Sequence, residues 1–108
     1  MDIIQIEIDN LLQNFNYIIE LENKTAWCVD PFDTNRIITE LEKRELQLVG
    51  IINTHSHFDH IKGNQELMRK YNCELFTPKN SNIINSTKEI ENREELVLNS
   101  FTKVQVIS

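Results

Sequence analysis

The chain has 108 residues, 40% of them hydrophobic and 26% charged, and its 11 Lys and Arg against 17 Asp and Glu leave a net charge of -6. The apolar share is too high for a disordered chain, and the acidic balance argues against a broad nucleic-acid surface, whose affinity rests on clustered Lys and Arg. At this length one domain is expected, spanning residues 1–108.

The first residues, Met1-Asp2-Ile3-Ile4-Gln5, carry neither the basic start nor the apolar run of a secretory signal. Ile4, Ile6 and Ile8 alternate with polar residues, the period of a half-buried strand. Asn14 to Asn16 turns the chain, and Tyr17 to Leu21 predicts a second strand. Glu22-Asn23-Lys24 then predicts a hairpin turn into a third strand at Thr25-Ala26-Trp27-Cys28-Val29. Three strands joined by short turns predict an antiparallel meander, which Asp30-Pro31 ends because proline cannot donate to a sheet ladder. A helix follows, capped by Asp33 or Thr34, with Ile37, Ile38 and Leu41 on one face.

Leu48 to Ile52 is a short branched apolar run of the buried-strand type. Beyond the histidines, Leu67, Met68 and Tyr71 repeat the helical spacing, with Asn64 as the expected cap. Cys73 to Phe76 predicts another strand, ended by Thr77-Pro78. The polar, Asn-rich stretch 79–93 predicts loop with room for a short helix, and Glu95 to Leu98 and Thr102 to Ile107 predict a hairpin around Asn99-Ser100. The order predicts an α/β fold of α+β type, a mixed sheet with helices on one face. Trp27, Phe15, Phe32 and Phe76 are read as core, and the run Glu89 to Glu95 as a solvated surface. No segment approaches the ~20 apolar residues that span a bilayer. Cys28 and Cys73 stand alone, outside any C-x-x-C pair, so reduced structural thiols and a cytoplasmic location are expected.

All three histidines fall within one short window, Thr54-His55-Ser56-His57-Phe58-Asp59-His60, directly after the buried-type strand. The carboxyl end of such a strand is where α/β folds present side chains to a cleft. His55 and His57, two apart, project to the same side of extended backbone and can share one ion. Asp59 and His60 fall where the chain bends toward the next helix and can form a second ligand pair. Imidazole with carboxylate suits zinc, with iron or manganese as alternatives; the plainer reading is a surface histidine cluster that binds metal opportunistically. Gly63 is read either as letting backbone pass close to the metal loop or as a glycine at a helix start. Asp30 is read either as a hydrogen-bond partner of the metal loop or as the carboxylate that closes an Asp-Pro turn.

The seven-residue window resembles the T-H-x-H-x-D-H signature of the metallo-β-lactamase fold. Around it, Asn14-Phe15-Asn16-Tyr17-Ile18-Ile19, Cys28-Val29-Asp30-Pro31 and Gly63-Asn64 resemble, in order, segments of the glyoxalase II (hydroxyacylglutathione hydrolase) family. The resemblance implies a first metal on His55 and His57 and a second on Asp59 and His60, with Asp59 also serving catalysis by helping orient the nucleophile. It implies thioester hydrolysis of the S-lactoylglutathione type, a two-zinc site, and a glutathione conjugate as small-molecule partner, without nucleic acid or membrane. The family's further ligands include a third histidine in a T-P-G-H-T segment, whereas no histidine follows His60 here. The expectation is therefore the first half of an αββα sandwich, with an incomplete metal site and a sheet face open to self-association. Two alternatives stand beside it. One is another hydrolase or oxygenase of the same fold, such as a lactonase, a persulfide dioxygenase or, against the acidic charge, an RNA-processing nuclease. The other is an inactive metal-binding fragment of an interrupted gene.

Overall fold

The structure, a computed structural model, describes the backbone of residues 2–7, 15–31, 33–53, 58–91, 94–98 and 103–105, and side chains within 17–31, 33–53, 63–91 and 94–98. Strands β1 (Asp2–Glu7), β2 (Phe15–Leu21) and β3 (Thr25–Val29) form the expected antiparallel meander. A single 3-10 turn, Glu22–Lys24, joins the last two, with Asn23 and Lys24 at φ 64 and 59. Helix α1 (Thr34–Lys43) then crosses to β4 (Gln47–Ile52), and helix α2 (Phe58–Tyr71) to β5 (Glu74–Pro78). A three-residue strand, β6 (Lys88–Ile90), completes a six-stranded sheet in the order β1-β2-β3-β4-β5-β6, with the pairs from β3 onward parallel. Strands β7 (Glu95–Val97) and β8 (Lys103–Gln105) pair antiparallel as a separate two-stranded sheet. The α/β, mixed-sheet expectation is met.

Helix α1 starts where its sequence says it should. The Asp33 carboxylate accepts from the Arg36 N–H at 3.2 Å, satisfying one of the amides that the first turn leaves without an intrahelical partner. Asp33→Ala is expected to lower stability by about 1 kcal/mol, read as a shift in the urea midpoint; an unchanged midpoint would count against the cap. Ile37 and Leu41 are fully buried and Ile38 packs beside them. They share one core with Ile18, Ala26, Cys28, Leu48, Ile51, Leu67 and Leu75, the helix-facing side of the sheet.

Leu48 and Ile51 lie in this core although strict alternation would point them to opposite faces. The register explains it. Ala26 pairs with Leu48 but Trp27 pairs with Gly50, so Val49 is an extra residue in the ladder and the strand changes phase there.

The other face carries Ile19, Leu21, Trp27, Ile52 and Ile90, joined by Leu96 of β7, with Val29, Val49, Phe76 and Leu98 packed around them. Trp27 is 5% exposed, its ring packs tilted against Phe76 with centroids 4.9 Å apart, and it fills the space that a Cβ on Gly50 would need. The face expected to be left bare is thus buried or half-buried at its described residues, with β7 lying against it. Among the described residues, the large hydrophobics that remain exposed are Ile84 and Val97.

Two expectations are corrected. The stretch 79–93 contains a strand, β6, and its described residues hold no helix. It is pinned to β5 largely by hydroxyl and backbone bonds: Leu75 N–H to Thr87 Oγ1 at 2.9 Å, Thr87 N–H to the Leu75 carbonyl at 2.8 Å, and a 2.7 Å bond between Thr77 Oγ1 and Ser86 Oγ. Asn80, Asn82 and Asn85 turn the intervening loop at positive φ, a region asparagine tolerates better than most residues. Second, Asn64 is no cap, since α2 begins at Phe58 and Asn64 lies inside it, 1% exposed. No helix among the described residues is long and apolar enough to cross a membrane.

Candidate metal centre

The strands β3, β4 and β5 run parallel, so their carboxyl ends share one edge of the sheet. Backbone bonds tie that edge together just below the histidine window. The Asp30 N–H donates to the Ile52 carbonyl at 2.9 Å, and the Asn53 N–H donates to the Phe76 carbonyl at 2.8 Å. The chain leaves β4 from the middle of this row, the crevice position at which parallel sheets take ligands.

Of the four residues singled out as metal ligands, His55 and His57 lie outside the described residues. Asp59 and His60 are the second and third residues of α2, in its first turn; of their side chains nothing further is described. The catalytic role expected of Asp59 thus rests on the sequence motif. Among the described residues no group of three or more His, Cys, Asp or Glu could hold a metal ion. The window itself holds three imidazoles and a carboxylate, borderline and hard ligands of the zinc and iron type.

The thiols do not compete for that role. Cys28 is buried in the helix-side core, and burial pushes its pKa well above the ordinary thiol value, with smaller contributions from Cys73 and Asp30. Burial likewise raises Cys73 to about 11. Both are thiols, not thiolates, near neutral pH, and the thiolate is the form that binds metal. Both cysteines are free, in line with the structural reading.

Two residues flanking the window gain a definite placement. Gly63 is not at a helix start; it lies within α2, where a Cβ would sit 2.6 Å from the Pro31 carbonyl oxygen. The backbone it meets closely is that of the Asp30-Pro31 turn, whereas the sequence predicts a close approach to the metal loop. Asp30 is 8% exposed and takes the left-handed conformation, φ 49, beside the end of β4. Its neighbour in space, α2, is tied to α1 through Thr34 Oγ1, which donates to Glu66 Oε2 at 2.6 Å.

A contact absent from the sequence reading joins the end of β4 to α2. Asn53, one residue past β4, and Asn64 of α2 face each other as a reciprocal amide pair. Asn53 Nδ2 donates to Asn64 Oδ1 at 3.0 Å, and Asn64 Nδ2 donates to Asn53 Oδ1 at 2.6 Å. Both residues are buried, at 0% and 1% exposure. Only an unusual pair of asparagines on either side of the motif could have hinted at it.

Hydroxyacylglutathione hydrolase of Pelagibacter ubique is 40% identical over 73 residues, 66% of this chain and 30% of the relative. The protein of that name from Buchnera aphidicola is 30% identical over 92 residues, 84% of this chain and 37% of the relative. The curated relatives compared are spanned only in part, over 22% to 37% of their length. The solved structure of ETHE1 from Myxococcus xanthus superposes with a TM-score of 0.80 over 93% of this chain and 45% of that one, at 19% identity, a likeness of fold alone. Residues 9–91 match the metallo-beta-lactamase superfamily, and it is to this superfamily that the chain belongs.

Proposed function

We propose that this chain carries the metal-binding loop of a hydrolase that cleaves a thioester of the S-lactoylglutathione type, releasing a hydroxy acid and glutathione. The observation that carries this reading is the Thr54–His60 motif, set at the carboxyl end of β4 in a chain whose curated relatives bear the name hydroxyacylglutathione hydrolase. The structural neighbour, at 19% identity, speaks to fold and not to substrate.

Membership of the superfamily implies divalent metal binding. In this reading His55 and His57 hold one ion and Asp59 and His60 a second, with zinc the metal that best suits the set and iron or manganese as alternatives. Bound metal would supply Lewis acidity toward the thioester carbonyl and a water made acidic enough to ionise near neutral pH. Asp59, in the first turn of α2, would hold its ion and orient the attacking water.

The test is zinc binding by competition with a chromophoric chelator, together with S-lactoylglutathione hydrolysis, for the wild-type chain and His57→Ala. Zinc affinity that drops sharply in the variant is the expected result, with any metal-dependent hydrolysis lost alongside it. Equal zinc affinity in both proteins would remove the reading. Turnover of a lactone or persulfide in place of the thioester would move the assignment within the superfamily.

A further inference from the structure

The chain leaves β4 at Asn53, and α2 brings Asn64 back against it; the histidines and Asp59 all lie between in sequence. The amide pair joins those two points directly. A buried amide dimer is a costly way to fill space, because two leucines of similar shape could replace it with little or no loss of stability. What leucines cannot do is fix separation and angle. Two antiparallel amides bond only in one mutual orientation, and turning either one alone would set nitrogen against nitrogen. The surrounding backbone is equally constrained: the Asn53 N–H is held by the Phe76 carbonyl, and Gly63, next to Asn64, abuts the Pro31 carbonyl.

The geometry points to Asn53 and Asn64 as positioning residues, a clasp that fixes the first turns of α2, which carry Asp59 and His60, against the end of β4, from which the chain runs on to His55 and His57. Its effect on metal rests on the proposed function above; its effect on the loop does not. The clasp acts before any metal arrives, by fixing α2 against the end of β4, so that ligands meet an ion with less ordering left to do.

The test compares the wild-type chain with Asn53→Leu/Asn64→Leu, which keeps the buried volume and removes the directional bonds. Metal-free hydrogen exchange, read by mass spectrometry, should quicken about tenfold across residues 53–64 while α1, residues 34–43, stays unchanged. Cobalt(II), titrated as a spectroscopic probe, should bind about tenfold or more weakly, with altered visible d–d bands. Should the leucine pair fail to fold by circular dichroism, Asn64→Ser, small enough to admit a water, is read by the same criteria. Exchange that quickens equally in α1 and in 53–64, or in neither, would overturn the clasp, as would wild-type cobalt affinity and spectrum in the variant. A wild-type chain that takes up no cobalt, with the exchange result intact, would remove the metal reading and leave the clasp standing.

Discussion

Replacing Leu67 with alanine should lower the stability of this chain by about 2–5 kcal/mol, the usual cost of emptying a fully buried leucine site. Leu67 is 0% exposed and sits in α2 facing Leu75, Ile51 and the other helix-side core residues. Alanine is the better helix former, so the substitution slightly favours the helix itself and any loss comes from packing. The size of the loss reports how far the core can collapse around the cavity. Leu67→Met, close in volume, should cost less than about 1.5 kcal/mol and serves as the control. Urea unfolding measures both, through the shift in midpoint at constant slope. An alanine variant within 0.5 kcal/mol of wild type, well inside the usual range for surface sites (~0.5 kcal/mol), would mean that α2 is not seated on the sheet as described.

Gly63→Ala should also destabilise, by about 1–3 kcal/mol, the usual cost of overpacking. The sign is decided by a contest. In a helix interior, exchanging glycine for alanine normally gains about 0.5–1 kcal/mol. Here the new methyl would meet the Pro31 carbonyl oxygen at 2.6 Å and its carbon at 3.0 Å. Both are backbone atoms, held by the Asp30 N–H bond to the Ile52 carbonyl one residue earlier, so neither can swing aside. Either α2 or the Asp30-Pro31 turn must move. Thermal unfolding measures the outcome, and a variant with a raised midpoint would show that the turn yields more easily than its hydrogen bond suggests.

The first five strands and both helices could be read from the chain because each carries its own periodic signal. Alternating isoleucines mark β1, branched runs mark β4, and a three-to-four residue spacing marks the buried faces of α1 and α2. What could not be read depends on partners distant in sequence. Strand β6 has two exposed residues out of three, and its place is set by the backbone of β5 and the hydroxyls of Thr87 and Ser86. Asn64 looks like a cap because asparagine favours caps, yet its amide answers to Asn53, in another element. The Val49 bulge is invisible without the register of β3. The candidate site was legible as a set of ligand types at a strand end, since chemistry is local to seven residues. The amide pair of Asn53 and Asn64 is not local and emerged only from the fold, as did the identity of the carbonyl that Gly63 meets.

The sheet order has a consequence for how the chain is made. Each strand from β2 to β6 pairs with the strand immediately before it, and β8 pairs with β7. During synthesis β2 to β6 and β8 therefore each emerge to find a partner already outside the ribosome, while β1 and β7 wait only for the strand that directly follows them. Assembly can proceed in the direction of translation, one strand at a time. The histidine window, between the fourth and fifth strands, is delivered onto a template of four strands and one helix that is already in place.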